Sequence, residues 1–100
     1  KGNIRILPLA LVQYLEAADD YVKIHTEEKV FMKKKTMQFF EDTMPAREFI
    51  RIHRSYIVNA AFINRIDIYE KDTYSIVLKT GGHLPVSKAG HKKLKEVLGI

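Results

Sequence analysis

Apolar and polar positions alternate with a period of two along much of the chain, the mark of strands that bury one face. Ile4-Arg5-Ile6 alternates in this way. Val12 to Glu16 and Tyr21 to Thr26 are strand-like runs, and Ala18-Asp19-Asp20 between them predicts a turn. In the second run Tyr21 and Lys23 face one way, Val22 and Ile24 the other. Glu27-Glu28-Lys29 then turns the chain into Val30 to Lys34, which makes a meander. Phe49 to Arg54 is again extended, whereas Ser55 to Phe62 has no clear period; its small residues Asn59, Ala60 and Ala61 suggest a turn or a single helical turn. The clearest hairpin pattern is Ile66 to Tyr69 with Tyr74 to Lys79, joined by Glu70 to Thr73. Thr80-Gly81-Gly82 is a further turn, because glycine tolerates positive φ, and His83 to Val86 gives a last short strand.

Two segments change period. Met37, Phe40 and Met44 lie at helical spacing, Thr36 stands where its hydroxyl can cap the first turn, and Pro45 ends the run. The second helix is expected over about Lys88 to Leu98, capped by Ser87 and stopped by Gly99. Leu94, Val97 and Leu98 would be its apolar face, with Lys88, Lys92 and Lys95 as a stripe opposite. The expected fold is mostly β with two short helices, in one domain spanning residues 1–100.

Composition narrows the function. Apolar residues make up 46% of the chain, too many for a disordered tail. The longest apolar run, Leu7 to Val12, is far short of the roughly 20 residues that span a membrane, and no secretory signal follows Lys1-Gly2-Asn3. The absence of cysteine excludes disulfides and thiolate metal sites. The net charge of +5 favours a polyanionic partner, and the bases gather at Lys33 to Lys35, Arg51 to Arg54 and Lys88 to Lys95.

Two of these clusters are candidate contacts. Arg51, His53, Arg54 and Ser55 sit on a frame of Phe49, Ile52 and Ile57. Guanidinium forks suit phosphate or a guanine edge, although by itself such a segment is more often a solvated strand face. The second is Ser87 and Lys88 with His91, Lys92, Lys93 and Lys95. Lysines at a helix start oppose its dipole, and a bound phosphate would offset that; a solvated basic helix face is the plainer reading. Lys33-Lys34-Lys35 reads as a charged strand end. Tyr56 and Asn59 read as structural, and Tyr14 and Tyr74 as core or cross-strand residues. The four histidines share no ligand spacing, and no phosphate loop is present. No metal, cofactor, small-molecule substrate or catalytic activity is expected.

The chain closely resembles the LytTR DNA-binding domain family over nearly its whole length. The resemblance is carried by Tyr14-Leu15-Glu16-Ala17 with Tyr21-Val22-Lys23-Ile24, by Phe49 to Asn59, and by Leu84-Pro85-Val86-Ser87-Lys88. It implies small antiparallel sheets stacked into an elongated body, with loops rather than a recognition helix placed in successive major grooves of double-stranded DNA. It further implies paired direct repeats as the target, dimerisation on them, a cytoplasmic setting, and the output half of a two-component response regulator whose N-terminal receiver or sensor domain lies outside this chain. The family's contact positions fall on Asp19-Asp20-Tyr21, on His53-Arg54-Ser55, and on Ser87-Lys88 with the lysines that follow. Arg54 and Lys88 are the expected base readers, and Arg51, Ser55, Lys92 and Lys93 the expected phosphate contacts. Lys88 stands where the family often carries arginine, so its contact is a point charge and not a fork. A protein-protein or anionic-ligand module is the alternative.

Overall fold

The structure, a computed structural model, describes every residue except Lys1, Asn3 and Arg5. The strand expected over Ile4-Arg5-Ile6 therefore falls partly outside the described residues; Ile4 and Ile6 are exposed and belong to no regular element. Eight strands and two α-helices follow: β1 (Tyr14–Ala18), β2 (Tyr21–His25), β3 (Val30–Lys33), α1 (Met37–Thr43), β4 (Phe49–His53), β5 (Tyr56–Asn59), β6 (Ile63–Ile68), β7 (Tyr74–Leu78), β8 (His83–Val86) and α2 (Lys88–Leu98). They form two antiparallel sheets, ordered β3-β2-β1-β5-β4 and β6-β7-β8. The body measures 53 × 24 × 22 Å and is elongated, as expected.

The larger sheet is covered on both faces. One face packs Val12, Leu15, Val22, Ile24, Phe49 and Ile57 with Met37 of α1. The other packs Ile50, Ile52 and Val58 against Ile76, Leu78, Leu84 and Val86 of the smaller sheet and Leu94 of α2. Because side chains alternate along a strand, β4 and β5 contribute to both cores. That leaves few polar positions on them, and Arg51 is one. β3 is the outer strand at the far side, with Val30 and Met32 about half exposed.

Element boundaries differ from the sequence expectation where local hydrogen bonds compete with the ladder. β1 starts at Tyr14 and not Val12, because Leu9–Leu11 forms a 3-10 turn in which the amides of Leu11 and Val12 bond back to Pro8 and Leu9. It runs on to Ala18, paired with Tyr21, so the hairpin turn shrinks to Asp19-Asp20. Asp19 adopts φ 55°, which a short polar side chain tolerates. The ambiguous stretch resolves into β5 and a 3-10 turn, Ala60–Phe62. Asn59 sets that turn: its side chain accepts from the Ala61 amide at 3.0 Å and donates to the Val12 carbonyl at 2.8 Å. β6 consequently begins at Ile63, earlier than the expected Ile66, and Tyr69 lies beyond its end. Both helix caps form as expected, through Thr36 and Ser87, and Gly99 ends α2 in the left-handed region. The apolar face of α2 is narrower than expected: Leu94 is buried, whereas Val97 and Leu98 remain exposed.

Candidate nucleic-acid interface

Antiparallel topology gathers separate segments at one end of the larger sheet. β1 ends there and β5 starts there, so the Asp19-Asp20 turn lies beside the Arg54-Ser55 turn; the Ala17 amide donates to the Ser55 carbonyl at 2.9 Å. β3 also ends there, opposite the start of β2. As a result Lys34 and Lys35 share a shallow concavity with Asp19, Asp20 and Tyr21. Asp20 and Tyr21 are exposed. The sequence alone suggests only a charged strand end at Lys33 to Lys35; the signal it lacks is topological, since a meander returns β3 to the end from which β2 departs.

The β4–β5 turn is built around Arg51. A bulge between Arg51 and His53 shifts the register of β4. The Arg51 guanidinium then folds back into the turn, with Nε donating to the His53 carbonyl at 3.0 Å and Nη2 to the Arg54 carbonyl. Its remaining nitrogen, Nη1, donates to Glu41 Oε1 at 2.8 Å. The Arg51 side chain is 19% exposed. His53 Nδ1 accepts from the Ser55 amide at 3.1 Å, and its ring leans on Tyr56. Arg54 is left exposed, with no ion pair among the described residues.

The start of α2 is stitched to that bulge. The Ser87 amide donates to the Ile52 carbonyl at 2.8 Å, and Ser87 Oγ both donates to the same carbonyl and accepts from the Gly90 amide. Gly90 lies so close that a Cβ placed on it would fall 1.9 Å from the Ile52 oxygen. Glycine inside a helix costs about 1 kcal/mol relative to alanine, and that anomaly was the readable sign of a close approach. His91 stacks on Tyr74, ring centroids 3.8 Å apart. Lys88 is exposed, 3.5 Å from Asp72, and Lys92 is exposed without an ion pair among the described residues. Lys93 turns toward α1 and reaches Glu41 Oε2 at 2.7 Å.

The expected contact residues thus fall into two groups. Asp20, Tyr21, Arg54 and Lys92 point outward, as does Lys88 while paired with Asp72. Arg51, His53, Ser55, Ser87, His91 and Lys93 have contacts inside the domain. Glu41 was not singled out from sequence, though it lies four residues after the buried Met37 and so shares its side of α1. The hydrogen bond from Lys93 and then that from Arg51 hold the Glu41 carboxyl below its ordinary value of 4.5, against the effect of burial. The stability this adds is present above that value and is lost as pH falls through the lower folded one. Wild-type protein is therefore expected to lose stability more steeply than Glu41→Gln between about pH 5 and pH 3; superimposable thermal melts across that range would contradict it. Among the described residues no group of three His, Asp or Glu side chains is placed to hold a metal ion, and no helix is long and apolar enough to cross a membrane.

The LytTr DNA-binding domain model matches residues 2–99 of the chain. This chain belongs to the LytTr DNA-binding domain family. A solved LytTr DNA-binding domain from Bacillus cereus superposes with a TM-score of 0.87 at 34% identity, covering 94% of this chain and 86% of that one. The sensory transduction protein LytT of Bacillus subtilis is 33% identical over 98% of the chain, and the transcriptional regulatory protein LytR of Staphylococcus aureus 30% identical over 77%. The chain matches 41% and 31% of the lengths of those two relatives.

Proposed function

We propose that this LytTr domain binds double-stranded DNA sequence-specifically, as the cytoplasmic output domain of a two-component response regulator. The Asp19–Tyr21 turn, the His53–Ser55 turn and the start of α2 enter successive major grooves along one side of the duplex. Arg54 and Lys88 read base edges, Lys92 neutralises a phosphate, and two copies sit on paired direct repeats. The domain's task is recognition, with no chemical step. The observation that carries this reading is Arg54. Its backbone is pinned by Arg51 while its own guanidinium is exposed, without an ion pair among the described residues, at the cleft that also holds Ser87 and Lys93. A rigid backbone under a free fork is what bidentate base recognition needs. Asp19 and Asp20 repel phosphate, so the first turn approaches the duplex through a base edge, where a carboxylate accepts from a cytosine amino group.

Selection of binding sites from random duplex DNA, at stated salt, tests the proposal. A repeated motif with fixed spacing is expected. On the selected site Arg54→Ala should cost about 1–3 kcal/mol and relax preference at one base position. Lys92→Ala should weaken all sequences alike and flatten the salt slope by about one unit. Failure to enrich any sequence at low salt would sink the proposal in favour of a module that docks an acidic protein.

A further inference from the structure

We infer that Glu41 is a positioning residue of the DNA-facing surface: its two carboxylate oxygens fix the Arg54-bearing turn relative to α2. This rests on the DNA-binding reading above.

α1 and α2 cover opposite faces of the larger sheet, and β4 is its edge strand. Glu41 of α1 and Lys93 of α2 therefore meet around the outer edge of β4, at 2.7 Å. The second carboxylate oxygen takes Arg51 of β4 itself, at 2.8 Å. One side chain thus joins three elements. A shallow cleft lined by Glu41, Arg51, His53, Arg54, Ser87 and Lys93 marks where they converge.

A carboxylate among basic residues has a second possible role. It could stand in for phosphate, masking two cations that DNA would otherwise use. The geometry of Arg51 points the other way. Two of its three hydrogen bonds go to the carbonyls of His53 and Arg54, and neither depends on Glu41. Without Glu41, Arg51 would still be held inside the turn and would not become a free cation. What would be lost is the tie between that turn and Lys93. Charge agrees: one carboxylate against two cations leaves a net positive clamp, so the local field still favours an anion. A base reader must be held to within about half an ångström of its productive position. Two base readers on different elements need the distance between those elements fixed as well.

The test compares wild type, Glu41→Gln and Arg51→Lys on the selected duplex and on random duplex at one salt concentration, with thermal unfolding of each. Glutamine keeps the shape of Glu41 and removes its charge; lysine keeps the charge of Arg51 and removes its fork. Both variants are expected to remain folded and to lose about tenfold or more in the ratio of specific to random affinity, roughly the value of one base contact. Random-sequence affinity should stay within about twofold of wild type. An unchanged ratio in the folded variants would overturn the inference, because a merely structural role lowers the melting temperature without touching the ratio. A parallel rise in both affinities for Glu41→Gln would overturn it too, in favour of a phosphate mask. If wild type itself shows no preference, the DNA-binding reading fails and this inference fails with it.

Discussion

Gly90→Ala is expected to destabilise the domain by about 3 kcal/mol or more, although the same change on an exposed helix surface stabilises by about 1 kcal/mol. The added Cβ would lie 1.9 Å from the Ile52 oxygen, 2.4 Å from its carbonyl carbon and 2.7 Å from its Cα. All three are backbone atoms of a buried strand, so no rotamer change makes room. The helix must withdraw by more than an ångström. Withdrawal stretches the bonds from Ser87 to the Ile52 carbonyl, which are what join α2 to the bulge in β4. The effect should therefore be double: a lower midpoint in denaturant, and weaker specific DNA binding in whatever fraction stays folded. A midpoint equal to or above that of wild type would show that α2 shifts freely, contrary to the close contact described.

Leu94→Ala is expected to cost about 2–5 kcal/mol for a different reason. Leu94 is fully buried between Ile50 and Ile52 of β4 and Ile76, Leu84 and Val86 of the smaller sheet. Truncation removes transfer energy and leaves a cavity at the meeting point of both sheets and α2. Against the roughly 5–15 kcal/mol that stabilises a domain of this size, such a loss can populate the unfolded state at ordinary temperature. The two variants should separate in the cold. The folded population of Leu94→Ala keeps the backbone seam at Gly90 and should bind the selected duplex nearly as wild type does. Gly90→Ala should not. Equal binding defects per folded molecule would show that the seam and the cavity act through the same displacement of α2.

The contrast between these two positions also explains what the sequence disclosed. Leu94 was legible, because helical spacing places it on an apolar face and a buried leucine needs only that. Most strands were legible for the same reason, as alternation in β2 reports directly which face is buried. The limits were set by competing local bonds: the 3-10 turn after Pro8 delays β1, and the Asn59 side chain breaks the run between β5 and β6. The outward residues of the candidate interface were legible as charges on an apolar frame. Their division of labour was not. Whether Arg51 faces solvent or curls into its own turn depends on the bulge at Ile52, and its tie to α1 depends on a carboxylate ten residues away. Such a partner is joined to it by packing and by no local spacing. The placement of Lys34 and Lys35 is hidden for a related reason, since only the strand order sets them beside Asp19 and Asp20.

β4 and β3 close the larger sheet in opposite ways. β4 is enclosed by two helices, and its Ile52 carbonyl is occupied by Ser87. Among the described residues β3 has no neighbouring strand on its outer side, and Val30 and Met32 stand about half exposed along it. An open edge with apolar side chains is a template for adding a strand from another molecule, the first step toward aggregation. Lys33, Lys34 and Lys35 at its end oppose a second copy docked in parallel, which would bring like charges together. Lys34 and Lys35, which lie beside Asp19 and Asp20, thus also oppose docking along this edge. Salt high enough to screen them removes that protection and weakens the hold on DNA at the same time.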